Sequence, residues 1–213
     1  MSYILSWRRP KKQLQIHPKL KNYEGRYFSK NAEVDWKPYI SIRDIPINYL
    51  EIGCADGGNL INIANSYGKN QNSKLYCIDP WDDYSEYSEY KGLQNLSWIN
   101  FNKNIKNAGI VDKCIICRGL SEDIVPTFDN NFFDIIFVDG NHKTEYVYND
   151  GKMAYDKCKV GGYIIFDDYC PYYDLKIWPE TAKGIDRFLN EYADRVKIIS
   201  QYNNFVQLII QKI

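Results

Sequence analysis

The chain has 213 residues, enough for one domain with a sizeable core and too few for two comfortable ones. Its 27 basic and 27 acidic side chains cancel, which removes any general attraction to polyphosphate or to an anionic membrane surface, so neither nucleic acid nor membrane is expected as a partner. No apolar run approaches the ~20 residues that span a bilayer. The stretch from Met1 to Pro10 lacks the apolar core of a secretory signal, so a cytoplasmic setting is expected, and with it reduced thiols for the six cysteines.

Residues 1–45 show no clear period and read as an irregular extension packing over the domain that follows, residues 46–213. The basic cluster WRRPKK, Trp7 to Lys12, and His17 read as solvated surface. From Ile47 onward short apolar runs alternate with segments of helical period. Strands are expected at Tyr49 to Gly53, Leu75 to Asp79, Cys114 to Cys117, Ile135 to Asp139 and Tyr163 to Asp168, each continuously apolar as parallel strands covered on both faces should be. Helices are expected around Asn59 to Tyr67, Tyr90 to Ala108, Ser121 to Phe128, Thr144 to Lys157 and Ala182 to Tyr192. Cys114 and Cys117 have CxxC spacing, but an odd separation in a strand points them to opposite faces and argues against a zinc site.

The runs Val196 to Ser200 and Phe205 to Ile210 are joined by QYNN, too short for a parallel crossover, so they form an antiparallel hairpin. The fold class is therefore α/β: a Rossmann-like, doubly wound, seven-stranded sheet of five parallel strands and a terminal hairpin. In such sheets ligands lie beyond the carboxyl ends of the strands, where the strand order reverses.

Those ends carry the chemistry. After the first strand comes EIGCADGG, Glu51 to Gly58, whose glycines permit a tight turn and close approach of backbone to a ligand. The spacing is not GxGxxG, which disfavours NAD. Asp79 ends the second strand, followed by Pro80 and Trp81, and suits either a turn role or a grip on a ribose diol. GLSED, Gly119 to Asp123, follows the third; Ser121 reads as a helix N-cap in a loop that can also edge an adenine ring.

Together, E-x-G-x-x-x-G (Glu51, Gly53, Gly57), Asp79, GLSED and a sheet ending in a hairpin resemble the class I S-adenosylmethionine-dependent methyltransferases over about Ile47 to Ile213. The resemblance implies S-adenosylmethionine as cofactor. It places Glu51 and Gly53 near the methionine moiety, Asp79 on the ribose, and Trp81 and Ser121 beside the adenine, with Asp56, Gly57 and Asp139 also among the residues that bind the cofactor.

Asp139 closes the fourth strand in FVDGNH, and Asp167 and Asp168 close the fifth in FDDY. Adjacent strand ends converge, and three carboxylates that close need a cation. Oxygen-only ligands favour Mg²⁺ or a similar ion over zinc. The step from Asp139 to Asp167 is similar to the metal triad of cation-dependent O-methyltransferases. The catechol type usually has Asn where this chain has Asp168, whereas the DD pair resembles the macrocin O-methyltransferase group, which methylates sugar hydroxyls. In that group a histidine at the place of His142 serves as base. A capping role of His142 for Asp139 stays open.

The chemistry implied is transfer of a methyl group to a hydroxyl: metal coordination lowers the hydroxyl's pKa, and an imidazole with a reference pKa near 6.5 takes the proton. Asp82 to Tyr90 and Asp168 to Pro179, rich in Tyr and acid, are the segments expected around a small-molecule or glycan acceptor. A phenol or catechol acceptor on the same metal site, and a non-catalytic binding module, are the alternatives. An RNA ribose methyltransferase is disfavoured by the neutral charge and by the want of an evident Lys-Asp-Lys-Glu pattern. Whether two copies pair as a homodimer through the N-terminal extension is left open.

Overall fold

The computed structural model describes residues 23–24, 32–82, 91–169, 179–200 and 207–213. Its centre is a seven-stranded sheet of order β3-β2-β1-β4-β5-β7-β6, built from β1 (Asn48–Ile52), β2 (Lys74–Asp79), β3 (Cys114–Arg118), β4 (Phe133–Val138), β5 (Cys158–Phe166), β6 (Val196–Ser200) and β7 (Leu208–Lys212). Strands β1 to β5 are parallel, while β7 runs antiparallel to both β5 and β6. The terminal hairpin is thus present, although its QYNN turn lies outside the described residues.

Alternation along each strand decides which helices cover which face. Tyr49, Cys77, Phe137 and Ile165 point to one core, shared with Leu60, Ile61 and Ile63 of α2 (Gly58–Asn65) and Phe101 and Ile105 of α3 (Gln94–Asn107). Leu50, Ile52, Ile136, Ile164 and Phe166 point to the other, against Val147 and Ala154 of α5 (Thr144–Lys157) and Ala182, Ile185 and Phe188 of α6 (Pro179–Glu191). Burial on both faces explains the unbroken apolar runs. Cys114 packs on the first core and Cys117 on the second, so the CxxC pair is split across the sheet, as its odd spacing requires. All five cysteines among the described residues are free thiols.

Three segments differ from the sequence reading. The extension contains α1 (Ala32–Trp36), and the Trp36 ring, fully buried, packs against Tyr67 and Phe137. The segment expected as one helix from Ser121 to Phe128 is a single α turn, α4 (Ser121–Ile124), followed by a 3-10 turn at Val125–Thr127 that holds Pro126; proline lacks the N–H that a continuing helix needs. The last strand, Leu208–Lys212, runs two residues past the expected Ile210, while Phe205 and Val206 lie outside the described residues; Gln207 before it uses its side-chain amide for the contacts described below.

Because β1 leads outward to β2 and β3 while β4 returns to its other side, the order reverses between β1 and β4. A crevice at their carboxyl ends follows from this topology. No described helix is long and apolar enough to cross a membrane.

Candidate active site

The strand ends are tied together by ladder bonds that continue one residue past each strand. Gly53 N–H donates to Ile78 O (2.8 Å), Asp139 N–H to Ile52 O (2.9 Å) and Asp167 N–H to Val138 O (3.0 Å). Register therefore carries over into the loops that bear the acids. Gly53 has a φ of 87°, and a Cβ there would lie 2.0 Å from the carbonyl oxygen of Asp139. Only glycine lets the β1 turn cross the end of β4.

Beyond Gly53 the turn is held from the core side and from α3. The Glu51 carboxylate, buried, accepts from the Tyr49 hydroxyl (2.7 Å) and from Asn59 Nδ2 (3.2 Å). Burial, and then the nearby Glu51 charge, raises the Tyr49 phenol well above its ordinary pKa, so it remains a donor. Asp56 accepts from Asn100 Nδ2 at its side chain (3.2 Å) and from Asn104 Nδ2 at its carbonyl (2.9 Å). Gly57 caps α2 in the left-handed region. Cys54 in the same turn is no nucleophile: burial pushes its thiol up to about 12.

Asp79 ties the first two strand ends together. One carboxylate oxygen accepts from Ala55 N–H (2.9 Å) and the other from Trp81 N–H (2.8 Å), and both donor residues are non-glycine positions of positive φ, 43° and 42°. Two unfavourable backbone conformations are thereby held by one side chain. Burial raises the Asp79 pKa although these bonds oppose the shift. The carboxylate keeps acceptor capacity to offer a ligand. Removing the acceptor in Asp79→Ala strands one buried and one partly buried donor, with an expected loss of about 3 kcal/mol and a melting temperature lower by roughly 10 °C. A thermal unfolding curve unchanged from wild type would contradict this role.

The Trp81 ring is 1% exposed, packs against Trp98 and Phe101 of α3, and donates its Nε1–H to Ala55 O (2.8 Å). Ser121 corrects a sequence expectation. The N-cap of α4 is Leu120, without a side-chain bond, and the Ser121 hydroxyl instead donates to Asp150 Oδ1 on α5 (2.6 Å). A buried carboxylate is the stronger acceptor, and a serine inside the first turn points away from the N–H groups that a cap would satisfy. Asp150 is itself buried, and a Cβ on Gly140 would lie 3.2 Å from its Oδ2, so it supports the DGNH turn from beneath.

At the ends of β4 and β5 the structure gathers Asp139, His142 and Asp168. Each offers one ligand atom, and these atoms lie within 4.8 Å of one another, the only such group of metal-binding type among the described residues. His142 Nε2 is 3.1 Å from Asp168 Oδ2. Asp168 has a φ of 54°, a conformation that turns its side chain back to the crevice rather than along the strand. Asp167, which the sequence reading placed among the ligands, is buried, and its Oδ1 accepts from Gln207 Nε2 (2.8 Å); Gln207 Oε1 in turn accepts from Trp36 Nε1 (2.9 Å). His142 takes its place in the group of three.

Sequence reasoning missed Asn100 and Asn104, Asn59, Asp150 and Gln207. The two α3 amides sit four residues apart on one helix face, a spacing that singles them out only once that face is known to be buried. Gln207 gave no signal inside an apolar run.

Comparison with known proteins agrees with this fold. The Methyltransf_24 family, described as a methyltransferase domain, matches residues 50–169. Uncharacterized protein R132 of Acanthamoeba polyphaga mimivirus is 33% identical over 163 residues, covering 74% of this chain and 69% of that protein. Among solved structures the fold is similar to the O-methyltransferase NovP (TM-score 0.58, 18% identity, 79% of this chain and 72% of that one). It is equally similar to the O-methyltransferase TomG from Streptomyces achromogenes in complex with SAM (TM-score 0.59, 19% identity, 78% and 72%). With a class I sheet, a glycine turn at its switch point and a family match over more than half its length, this chain belongs to the Methyltransf_24 family of methyltransferase domains.

Proposed function

We propose that the protein is an S-adenosylmethionine-dependent, divalent-cation-dependent O-methyltransferase acting on a sugar hydroxyl of a glycan, nucleotide sugar or glycosylated metabolite. The observation that carries the reading is the convergence of Asp139, His142 and Asp168 at the edge of the β1 glycine turn. Two carboxylates fit a hard divalent ion, and the imidazole beside them can act as a base. Asp139 and Asp168 would hold it, with Asp167 behind them. A cation there supplies Lewis acidity toward an acceptor oxygen, and S-adenosylmethionine supplies an electrophilic methyl group.

His142 does the proton chemistry. An ionised carboxylate only accepts, so the contact with Asp168 places the imidazole proton on Nε2 and leaves the Nδ1 lone pair as base. Asp168 then orients the ring and stabilises the imidazolium formed when the acceptor proton arrives. This arrangement favours an aliphatic hydroxyl over a phenol. A phenol, with a reference pKa near 10, ionises far more readily and has less need of a paired base. Glu51 and Asp56 offer anionic groups to the donor's ammonium, and Asp79 has acceptor capacity left for its ribose.

The test is an acceptor panel of nucleotide sugars, glycosides and catechols with labelled S-adenosylmethionine, run with and without EDTA. Expected is methylation of a sugar hydroxyl that EDTA lowers at least about tenfold and that Mg²⁺ or Mn²⁺ restores. Methylation of catechols alone would move the reading to the phenol type. Turnover indifferent to EDTA would remove the cation, and donor binding without any product would leave a binding module.

A further inference from the structure

We infer that Gln207 is a positioning residue of the cation site, acting through Asp167, and that Trp36 sets the direction of its amide; the role presupposes the divalent-cation reading above. Register brings the pair together. In the antiparallel ladder Phe166 of β5 faces Leu208 of β7, so one step beyond it Asp167 stands opposite Gln207. Side chains two residues apart share a face, which puts both on the side of Ile165 and Ile209, in the core that also holds Trp36. There Gln207 Nε2 donates to Asp167 Oδ1 (2.8 Å). Trp36, Gln207 and Asp167 are all buried.

The three groups can be joined in only one sense. An indole N–H donates and never accepts, and the Trp36 ring is packed between Tyr67 and Phe137, so its contact at 2.9 Å takes the Gln207 Oε1. The amide nitrogen is thereby turned to Asp167. A flipped amide would set N–H against N–H at the indole and oxygen against oxygen at the carboxylate. Trp36 therefore decides that Asp167 meets a donor and not a second acceptor.

The consequence falls one residue further on. Asp167 N–H is bonded to Val138 O (3.0 Å), so backbone and carboxylate are each held, and the left-handed turn that carries Asp168 toward His142 starts from a fixed residue. Groups that hydrogen-bond the carboxylates around a metal change its affinity about 10- to 100-fold when they are mutated. An apolar side chain of the same length at position 207 would keep the packing and break the bridge from indole to carboxylate. The Asp167 charge would then no longer be fixed beside Asp168.

Titration of the full chain with Mn²⁺, read by the electron paramagnetic resonance signal of the free ion, tests this without any acceptor. The binding that counts is the part lost in Asp139→Asn. Gln207→Met is expected to weaken it about tenfold or more, and Trp36→Phe to weaken it by a smaller factor, because the amide stays but can turn. Thermal unfolding of each variant without metal separates this from a support of the fold. Mn²⁺ affinity in Gln207→Met equal to that of wild type, or tighter, overturns the assignment, whatever happens to the melting temperature. If wild type binds no Mn²⁺, or binds it no better than Asp139→Asn, the cation reading itself fails, and the role of Gln207 with it.

Discussion

His142→Ala is expected to lower turnover by about two orders of magnitude or more, the usual range for losing a general base, while affinity for S-adenosylmethionine stays nearly unchanged. The separation follows from where the ring sits. His142 contacts Asp168 at the β5 end and lies in the loop after β4. The groups assigned to the donor, Glu51, Asp56 and Asp79, are braced by Asn59, Asn100 and the backbone of Ala55 and Trp81 instead. Steady-state kinetics with saturating donor, beside a direct donor titration, distinguishes the cases. A variant as active as wild type would take His142 out of the mechanism, and a large loss of donor affinity would make it a structural support of the turn.

Stability should depend on pH through Asp150. Burial, with a smaller contribution from Glu122, raises its pKa to about 7 against the opposing effect of the Ser121 hydrogen bond. In the unfolded chain an aspartate titrates near 3.9. Between those values the folded state holds a proton that the unfolded state has released, so rising pH works against folding. The penalty grows by about 1.4 kcal/mol per pH unit across the window and levels off above pH 7, at about 4 kcal/mol in total. Asp150→Asn removes the titration and keeps an acceptor for Ser121. Urea unfolding of both proteins at pH 5, 6, 7 and 8 should show the variant gaining on the wild type up to about pH 7 and then running parallel to it. Curves parallel throughout would mean that Asp150 ionises in the native protein as readily as in the unfolded chain.

The same residue shows why parts of the site could not be read in advance. In TEYVYNDGK, Asp150 has no apolar neighbour on either side to mark it as buried. Its burial comes from Gly151, which lets α5 settle on Phe166 and Phe188 and so turns the preceding carboxylate inward under Gly140. Ser121 looked like a cap because serine before two acids usually is one; a partner 29 positions away changed its role. Likewise Trp36, in a stretch without period, reaches Phe137 and, through Gln207, the carboxylate of Asp167.

What local chemistry dictates was legible from the chain alone. Continuous apolar runs of strand length mean two covered faces, a four-residue link between the last two means a hairpin, and glycines after the first strand mean a tight turn, though only the structure shows that Gly53 is needed there for its approach to Asp139. Which carboxylates meet was decided only by the folded sheet. Asp167 and Asp168 are neighbours in the chain, yet a strand alternates its side chains, and the left-handed backbone at Asp168 redirects the second one. One acid therefore turns inward to Gln207 and the other outward to His142, a choice that depends on tertiary packing because no local rule distinguishes two adjacent aspartates.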